Sequence, residues 1–222
     1  MNKNLNIVGA GLSGPLLSTI LANKHDCRVT MYERSSDFRK TNKFSGRSIN
    51  LALSKRGINT LEYADVYNNQ FESQLIPMYG RTIHDRSGEV TFQPYGNKNN
   101  HYINSVSRIA LNKMLIVAAE KSKKANIIFD MECTGIDLKK NQIYFGNKAI
   151  SSENPTIGAD GYKSVVANEI AKCNNTEMQY IDIEHSYKEL TILPDNNEYQ
   201  LEPNSLHIWP RRDMMIIALP NT

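Results

Sequence analysis

The sequence has little of what several specialised classes of protein require. Cysteine is scarce: Cys27, Cys133 and Cys173 are far apart, odd in number and never in a C-x-x-C pair. That excludes a disulfide framework and a zinc knuckle, and it fits a reducing cytoplasm. His25, His84, His101, His185 and His207 show no ligand spacing on a helix, so no metal site is expected. No apolar run approaches the roughly 18 residues of a membrane-spanning helix. The N-terminus has neither a signal-peptide h-region nor a small-residue cleavage site, because Leu5 to Val8 leads directly into glycines. A membrane is therefore not an expected partner of this chain, and the cytoplasm is its expected compartment. Charge of one sign is not concentrated either, since acids and bases are interspersed to a net charge of +3. The longest basic cluster, Lys121 to Lys124, is broken by Ser122 and falls at the end of a predicted helix, where it suits the macrodipole. Nucleic acid is not an expected partner. No internal repeat or low-complexity segment is present.

What remains is the composition of a soluble globular protein, 40% hydrophobic and 22% charged. Its 222 residues suffice for one sizeable domain, or for one and part of another. Leu5 to Val8 reads as a short buried strand. It runs into Gly9-Ala10-Gly11-Leu12-Ser13-Gly14 and then a helix from Pro15 to about Lys24. Arg28 to Glu33 is a second strand, completing a βαβ unit. Ser48 to Leu53 is apolar, and Ser54 caps a helix from Lys55 to about Tyr67. Thr82 to Gly96 reads as a hairpin turning at Arg86-Ser87-Gly88-Glu89. Ser107 caps an amphipathic helix carrying Ile109, Leu111, Leu115, Val117, Ala118 and Ala119. Strands are expected at Asn126 to Met131, at Gln142 to Phe145 and up to Ala159, and Ser164 opens a helix. In the tail, Lys188 to Leu193, Leu206 to Trp209 and Met214 to Leu219 read as antiparallel strands. The pattern is that of an α/β nucleotide domain carrying a partly antiparallel sheet domain.

The glycines form a G-x-G-x-x-G fingerprint in the right setting, between a strand and a helix. Gly9 permits the tight turn, Gly11 lets the backbone approach a pyrophosphate, and Gly14 lets helix and strand pack closely. The helix N-terminus offers free N–H groups and partial positive charge to phosphates. Glu33, 19 residues past Gly14, stands where a carboxylate accepts hydrogen bonds from a ribose hydroxyl. An acid there opposes a 2′-phosphate, so the site suits FAD or NAD rather than NADP. The fingerprint alone does not choose between those two.

Several further segments resemble blocks of the kynurenine 3-monooxygenase family, in the family's order and along the whole chain. They are Gly46-Arg47-Ser48-Ile49-Asn50-Leu51-Ala52-Leu53-Ser54, Ile76-Pro77-Met78-Tyr79-Gly80-Arg81-Thr82-Ile83-His84, Pro94-Tyr95-Gly96 and Ser105-Val106-Ser107-Arg108. Downstream, Tyr187 to Ile192, His207-Ile208-Trp209-Pro210-Arg211 and Met214 to Asn221 are similar in the same way. The wider group is the single-component FAD aromatic hydroxylases. Its second signature is seen here as Gly158-Ala159-Asp160-Gly161-Tyr162-Lys163-Ser164, with Ala167 where relatives usually carry arginine.

The resemblance implies an α/β fold: a Rossmann-type FAD-binding domain, with part of a mixed or antiparallel substrate-domain sheet. It implies a discontinuous FAD-binding domain at 1–72 and 101–178, with a partial substrate domain at 73–100 and 179–222. It implies FAD as cofactor, NADPH or NADH as co-substrate, and dioxygen and L-kynurenine as the small molecules consumed. Cofactor-binding positions would be Gly9, Gly11, Ser13, Gly14, Glu33, Arg34, Arg47, Ala52, Arg108, Cys133, Asp160 and Gly161. Arg81 and Tyr95 would hold the substrate's amino-acid carboxylate, a planar fork and one directional hydroxyl being suited to that group. No side chain is expected to act as catalytic acid, base or nucleophile, because the cofactor carries the hard chemistry while the protein positions the ring and excludes water. Family members run about twice this length, and a Gly-Asp motif expected in their second half has no counterpart here. The chain is therefore expected to be an N-terminal fragment without activity of its own. Rival expectations are a non-catalytic nucleotide-binding remnant, or a flavin hydroxylase of another aromatic acid.

Overall fold

A computed structural model describes residues 3–41, 49–97 and 101–221. The elements run β1 (Asn4–Val8), α1 (Ser13–His25), β2 (Arg28–Tyr32), α2 (Phe38–Thr41), β3 (Asn50–Leu53), α3 (Lys55–Tyr63) and α4 (Asn69–Glu72). Next come β4 (Ile76–Met78), β5 (Gly80–His84), β6 (Val90–Pro94), β7 (Ile103–Ser107), α5 (Arg108–Lys121) and β8 (Ala125–Ile128). The rest are β9 (Gly135–Asp137), β10 (Gln142–Phe145), β11 (Lys148–Ser151), β12 (Thr156–Gly158), α6 (Val165–Cys173), β13 (Ser205–Pro210) and β14 (Met215–Ala218). The chain divides into two compact units, Met1–Arg47 with Leu111–Ser186, and Ser48–Ala110 with Tyr187–Thr222. Segments 48–72 and 101–110, expected with the nucleotide domain, thus pack with the second unit.

The first unit is built on a parallel sheet of order β12-β1-β2-β8. Both faces of that sheet are covered, and the strand ends Ile7-Val8 and Met31-Tyr32 are accordingly apolar on both. On one face Ile7, Val29 and Met31 pack with Leu17 and Leu21 of α1 and with Ala119 of α5. On the other, Val8 and Tyr32 pack with Ile143 and Phe145 of β10, with Val166 of α6 and with Cys133. The antiparallel sheet β11-β10-β9 supplies that second cover. Only its central strand was expected from the sequence, because β9 and β11 are short and half exposed. The basic cluster after α5 ends in an ion pair, Lys124 to Asp26 at 2.5 Å, as a solvated helix terminus should.

The second unit holds two sheets, β14-β13-β5-β6 and β3-β7-β4. The expected hairpin is present as β5 and β6. Its turn is tied by the Asp85 carboxylate, which accepts from Ser87 Oγ at 2.7 Å and from the Glu89 N–H at 2.9 Å. The helix expected to reach Tyr67 stops at Tyr63 because Asp65 takes a φ of 58°. Asn68 then starts α4 by accepting from the Phe71 N–H at 3.0 Å. The expectation of a strand at 188–193 is corrected: these residues form none. Leu190, Ile192 and Leu193 are exposed, and no described strand lies beside them. A β-prone run becomes a strand only where a partner completes the ladder.

Leu115→Ala, at a side chain 1% exposed, is expected to lower the unfolding free energy of the first unit by about 2–5 kcal/mol. Leu138→Ala, at a residue 44% exposed, should cost less than about 1 kcal/mol in the same denaturant titration.

Candidate functional site

The candidate residues of the first unit gather at the carboxyl ends of its parallel strands. β2 and β8 lie on one side of β1 and β12 on the other, so the strand order reverses between β1 and β12. Ligands of open α/β sheets bind at such switch points. The turn after β1 and the turn after β12 meet there in contact tight enough to exclude side chains. Gly9 has a φ of +100°, and a Cβ on it would lie 2.5 Å from the Ala159 carbonyl oxygen. A Cβ on Gly14 would lie 2.0 Å from the Gly9 carbonyl oxygen. Gly11 differs from both: an added Cβ would meet nothing within 4 Å, so that stretch of backbone faces open space.

Polar groups fix the turn from two sides. Glu33 Oε2 accepts from the Ala10 N–H at 2.7 Å, while its Oε1 accepts from the Ser35 N–H at 2.9 Å. Each oxygen keeps a lone pair for a further donor. Asn112 of α5 is buried, and its Nδ2 donates to the carbonyls of Ala10 at 3.1 Å and Gly11 at 2.9 Å. Sequence reasoning passed over Asn112. The available signal was an amide among Leu111, Leu115, Ile116 and Ala119 on the buried side of an amphipathic helix. Ser13, exposed, begins α1, and Leu12 before it gives no side-chain cap. The first turn of α1 carries no acid, so its N–H groups and partial positive charge stay available to an anion.

The turn after β12 is organised differently. Asp160 Oδ2 accepts from the Val165 N–H at 2.7 Å, and its Oδ1 accepts from Ser164 Oγ at 2.6 Å. Ser164 Oγ in turn accepts from the Ala167 N–H at 3.0 Å, so the first turn of α6 is doubly capped. Gly161 supplies a φ of +76°. Here the acid that the sequence singled out holds the N-terminus of α6. Arg34 is exposed just beyond Glu33. Cys133 is buried in the core against Val8 and Tyr32, and burial pushes its thiol pKa up.

The remaining candidates belong to the second unit, apart from Arg47, which lies outside the described residues. Ala52 is exposed on β3, paired with Ser105. Arg108 opens α5, half-buried, its N–H donating to the Ile49 carbonyl at 3.2 Å. Arg81, exposed on β5, has its guanidinium carbon 5.4 Å from the centroid of the Tyr95 ring. The Tyr95 hydroxyl is buried and has no hydrogen-bond partner among the described residues. By register Arg81 shares its sheet face with Ile83, Leu206, Ile208 and Ile217, so a cation and a phenol sit beside an apolar floor. Among the described residues no group of acidic, histidine and cysteine side chains could hold a metal, and no helix is long and apolar enough to cross a membrane.

No protein-family model matches the sequence. Kynurenine 3-monooxygenase of Cytophaga hutchinsonii is 41% identical over 227 residues, covering all of this chain and 50% of that protein. The Dictyostelium discoideum enzyme of the same name is 38% identical, with 100% of this chain and 48% of that protein covered. For Sus scrofa the figures are 39%, 97% and 46%. The chain thus spans about half the length of the curated relatives it matches. Among solved structures, a tetrameric form of 2-methyl-3-hydroxypyridine-5-carboxylic acid oxygenase matches 76% of this chain and 42% of its own, with a TM-score of 0.61 and 18% identity. The flavin-dependent monooxygenase PieE, solved with FAD and substrate, matches 77% of this chain and 32% of its own, with a TM-score of 0.62 and 15% identity. These share the fold, a mixed α/β arrangement of parallel and antiparallel sheets. The sequence relatives carry the closer statement: over its whole length, the chain resembles the kynurenine 3-monooxygenase family, matching about half of each relative.

Proposed function

We propose that these residues supply the FAD site and one wall of the substrate site of an enzyme that hydroxylates L-kynurenine to 3-hydroxykynurenine, consuming NAD(P)H and dioxygen. The observation that carries the flavin part is the turn at the β1–β12 switch point. Its backbone is open at Gly11, is followed by a helix start with no side-chain cap, and is braced by Glu33 and Asn112. Those features fit a dinucleotide pyrophosphate on the turn and a ribose hydroxyl on the free lone pairs of Glu33. In this reading Ser13, Arg34, Arg47, Ala52, Arg108 and Cys133 shape the flavin's surroundings, and Asp160 with Gly161 sets the neighbouring turn. By ligand rather than by packing, residues 1–72 and 101–178 serve the flavin in this reading and 73–100 with 179–222 serve the substrate, although 48–72 and 101–110 cluster with the second unit.

When bound, the flavin accepts reducing equivalents from NAD(P)H and activates dioxygen for insertion into the aromatic ring. The chain's own residues orient and enclose. Arg81 offers a bidentate fork to the amino-acid carboxylate of kynurenine, and the buried Tyr95 hydroxyl, without a partner among the described residues, offers one more donor. Ile83, Leu206 and Ile208 on the same sheet face take the apolar edge of the ring. No proton transfer is assigned to a side chain, because a ring carrying an amino group is already activated for attack beside it. The 222-residue chain alone is inactive in this reading, and the complete polypeptide carries the activity.

The flavin assignment is tested by Gly11→Val. A Cβ at this position meets nothing within 4 Å, so thermal unfolding should change little. FAD affinity, read by quenching of flavin fluorescence, should fall at least about tenfold, or about 1.4 kcal/mol. Unaltered FAD binding would remove the pyrophosphate from this turn.

The substrate assignment is tested by Arg81→Lys in the complete polypeptide, which keeps the charge and removes the fork. Kynurenine affinity should fall about tenfold or more, as expected for a charge-assisted pair worth about 1.5–3 kcal/mol, with flavin content unchanged. Wild-type 3-hydroxykynurenine formation by that variant would exclude Arg81 as the carboxylate anchor. NADPH oxidation by the 222-residue chain alone on adding kynurenine would show that it is active by itself.

A further inference from the structure

The second unit contains buried polar side chains that the proposed chemistry does not use. β5 and β13 are parallel, and on one face of the pair their side chains meet as a polar ladder. Thr82 Oγ1 and Ser205 Oγ, both buried, are 2.6 Å apart. One step along, His84 Nε2 lies 2.9 Å from Nδ1 of the buried His207. The other ring nitrogen of His207, Nε2, lies 2.8 Å from the Glu202 carbonyl oxygen. His84 also stacks on Trp209, with ring centroids 4.3 Å apart and planes 10° from parallel. Arg211 Nη1 donates to the His84 carbonyl at 3.2 Å.

A carbonyl oxygen only accepts, so His207 Nε2 carries a hydrogen. With His207 neutral its Nδ1 is a lone pair, and His84 Nε2 must donate to it. One added proton leaves the ring-to-ring hydrogen bond in place: it sits on His84 Nδ1, or the pair exchanges tautomers and His84 accepts. A second proton sets N–H against N–H, with two imidazolium charges beside Arg211. The other charged side chains on the adjoining turns are Asp85, Arg86, Glu89, Glu202, Arg212 and Asp213, Glu202 accepting from the Asn204 N–H at 3.0 Å. Of these, Asp85 is already engaged by Ser87 and the Glu89 N–H.

We propose that His84 and His207 form a pH-sensitive latch between β5 and β13, closed while the neutral pair has taken up at most one further proton and opened by the second. Because Leu206 is the register partner of Arg81, the latch also positions Arg81 over its apolar floor. Burial first, then His207 and Arg211, holds the His84 pKa below the ordinary histidine value of 6.5. In the window below that value the unfolded chain binds more protons than the folded one. Stability is therefore retained above the window and falls as pH drops through it.

The test is amide hydrogen exchange on the 222-residue chain from about pH 7.5 to about pH 5, with protection corrected for intrinsic rates. Protection in β5 and β13 should fall with pH relative to β1 and β2, about tenfold for each unit by which the second protonation is held down. His84→Gln keeps an amide donor toward His207 and cannot take the proton. It should show wild-type protection at neutral pH and a flattened pH profile, whereas His84→Leu should lose protection already at neutral pH. Equal pH profiles for the two strand pairs, or an unflattened profile in His84→Gln, would overturn the latch. Neither flavin nor kynurenine enters this measurement.

Discussion

At Gly9 and Gly14 two turns of backbone approach so closely that no β-carbon fits between them, and the geometry of the first unit depends on that approach. The Gly14 helix start sits against the Gly9 carbonyl, and Gly9 in turn sits against Ala159. Three chain segments, β1, α1 and β12, are thereby fixed at one end of the sheet. Such a contact leaves carbonyls and N–H groups in a confined space, where each unpaired one costs about 1–3 kcal/mol. Glu33 and Asn112 answer that need, the carboxylate taking an N–H and the amide supplying donors to two carbonyls. The turn is held by groups that leave its outer face bare at Gly11. A site for an anionic ligand needs that combination of rigidity and open N–H groups.

Much of this was legible in the sequence because the constraint is local. The strand, glycine turn, helix and second strand lie within the first 33 residues, and spacing alone assigns Gly9, Gly11, Gly14 and Glu33. Asn112 was not legible. Its partners lie about a hundred residues away, and a single amide on an apolar helix face has several structural explanations. Asp160 was legible as a turn residue but not in its detail: the carboxylate caps α6 directly, reaching the Val165 and Val166 N–H groups. The helix start at Ser164 was called from a capping pattern, and the cap is there, reinforced by an acid four residues earlier.

Long-range pairing explains the misses in the second unit. The run at 188–193 has the composition of a strand, but strand formation is settled by a neighbour, and none is described beside it. The converse holds for β7, where no strand was expected from the sequence. It lies between β3 and β4, and Asn104 and Ser105 on it are buried in spite of their polarity. Ser105 Oγ donates to the Pro220 carbonyl at 2.7 Å, a contact spanning 115 residues that no local pattern announces.

The two units illustrate opposite solutions to carrying polar groups inside a fold. In the first, buried polar atoms serve a backbone turn that points outward, so their satisfaction creates a surface on which a ligand can be held. In the second, Thr82 with Ser205 and His84 with His207 satisfy one another across a parallel strand pair. An apolar pair at those positions would hold β5 to β13 through burial alone, with weak preference for register. Directional bonds penalise a slip of the ladder by stranding buried donors and acceptors. Register matters here because Arg81 and Leu206 are opposite one another only in the observed alignment. The polar ladder on one face of the sheet therefore determines what the other face presents, and that face is the one bearing the cation, the half-buried phenol and the apolar floor.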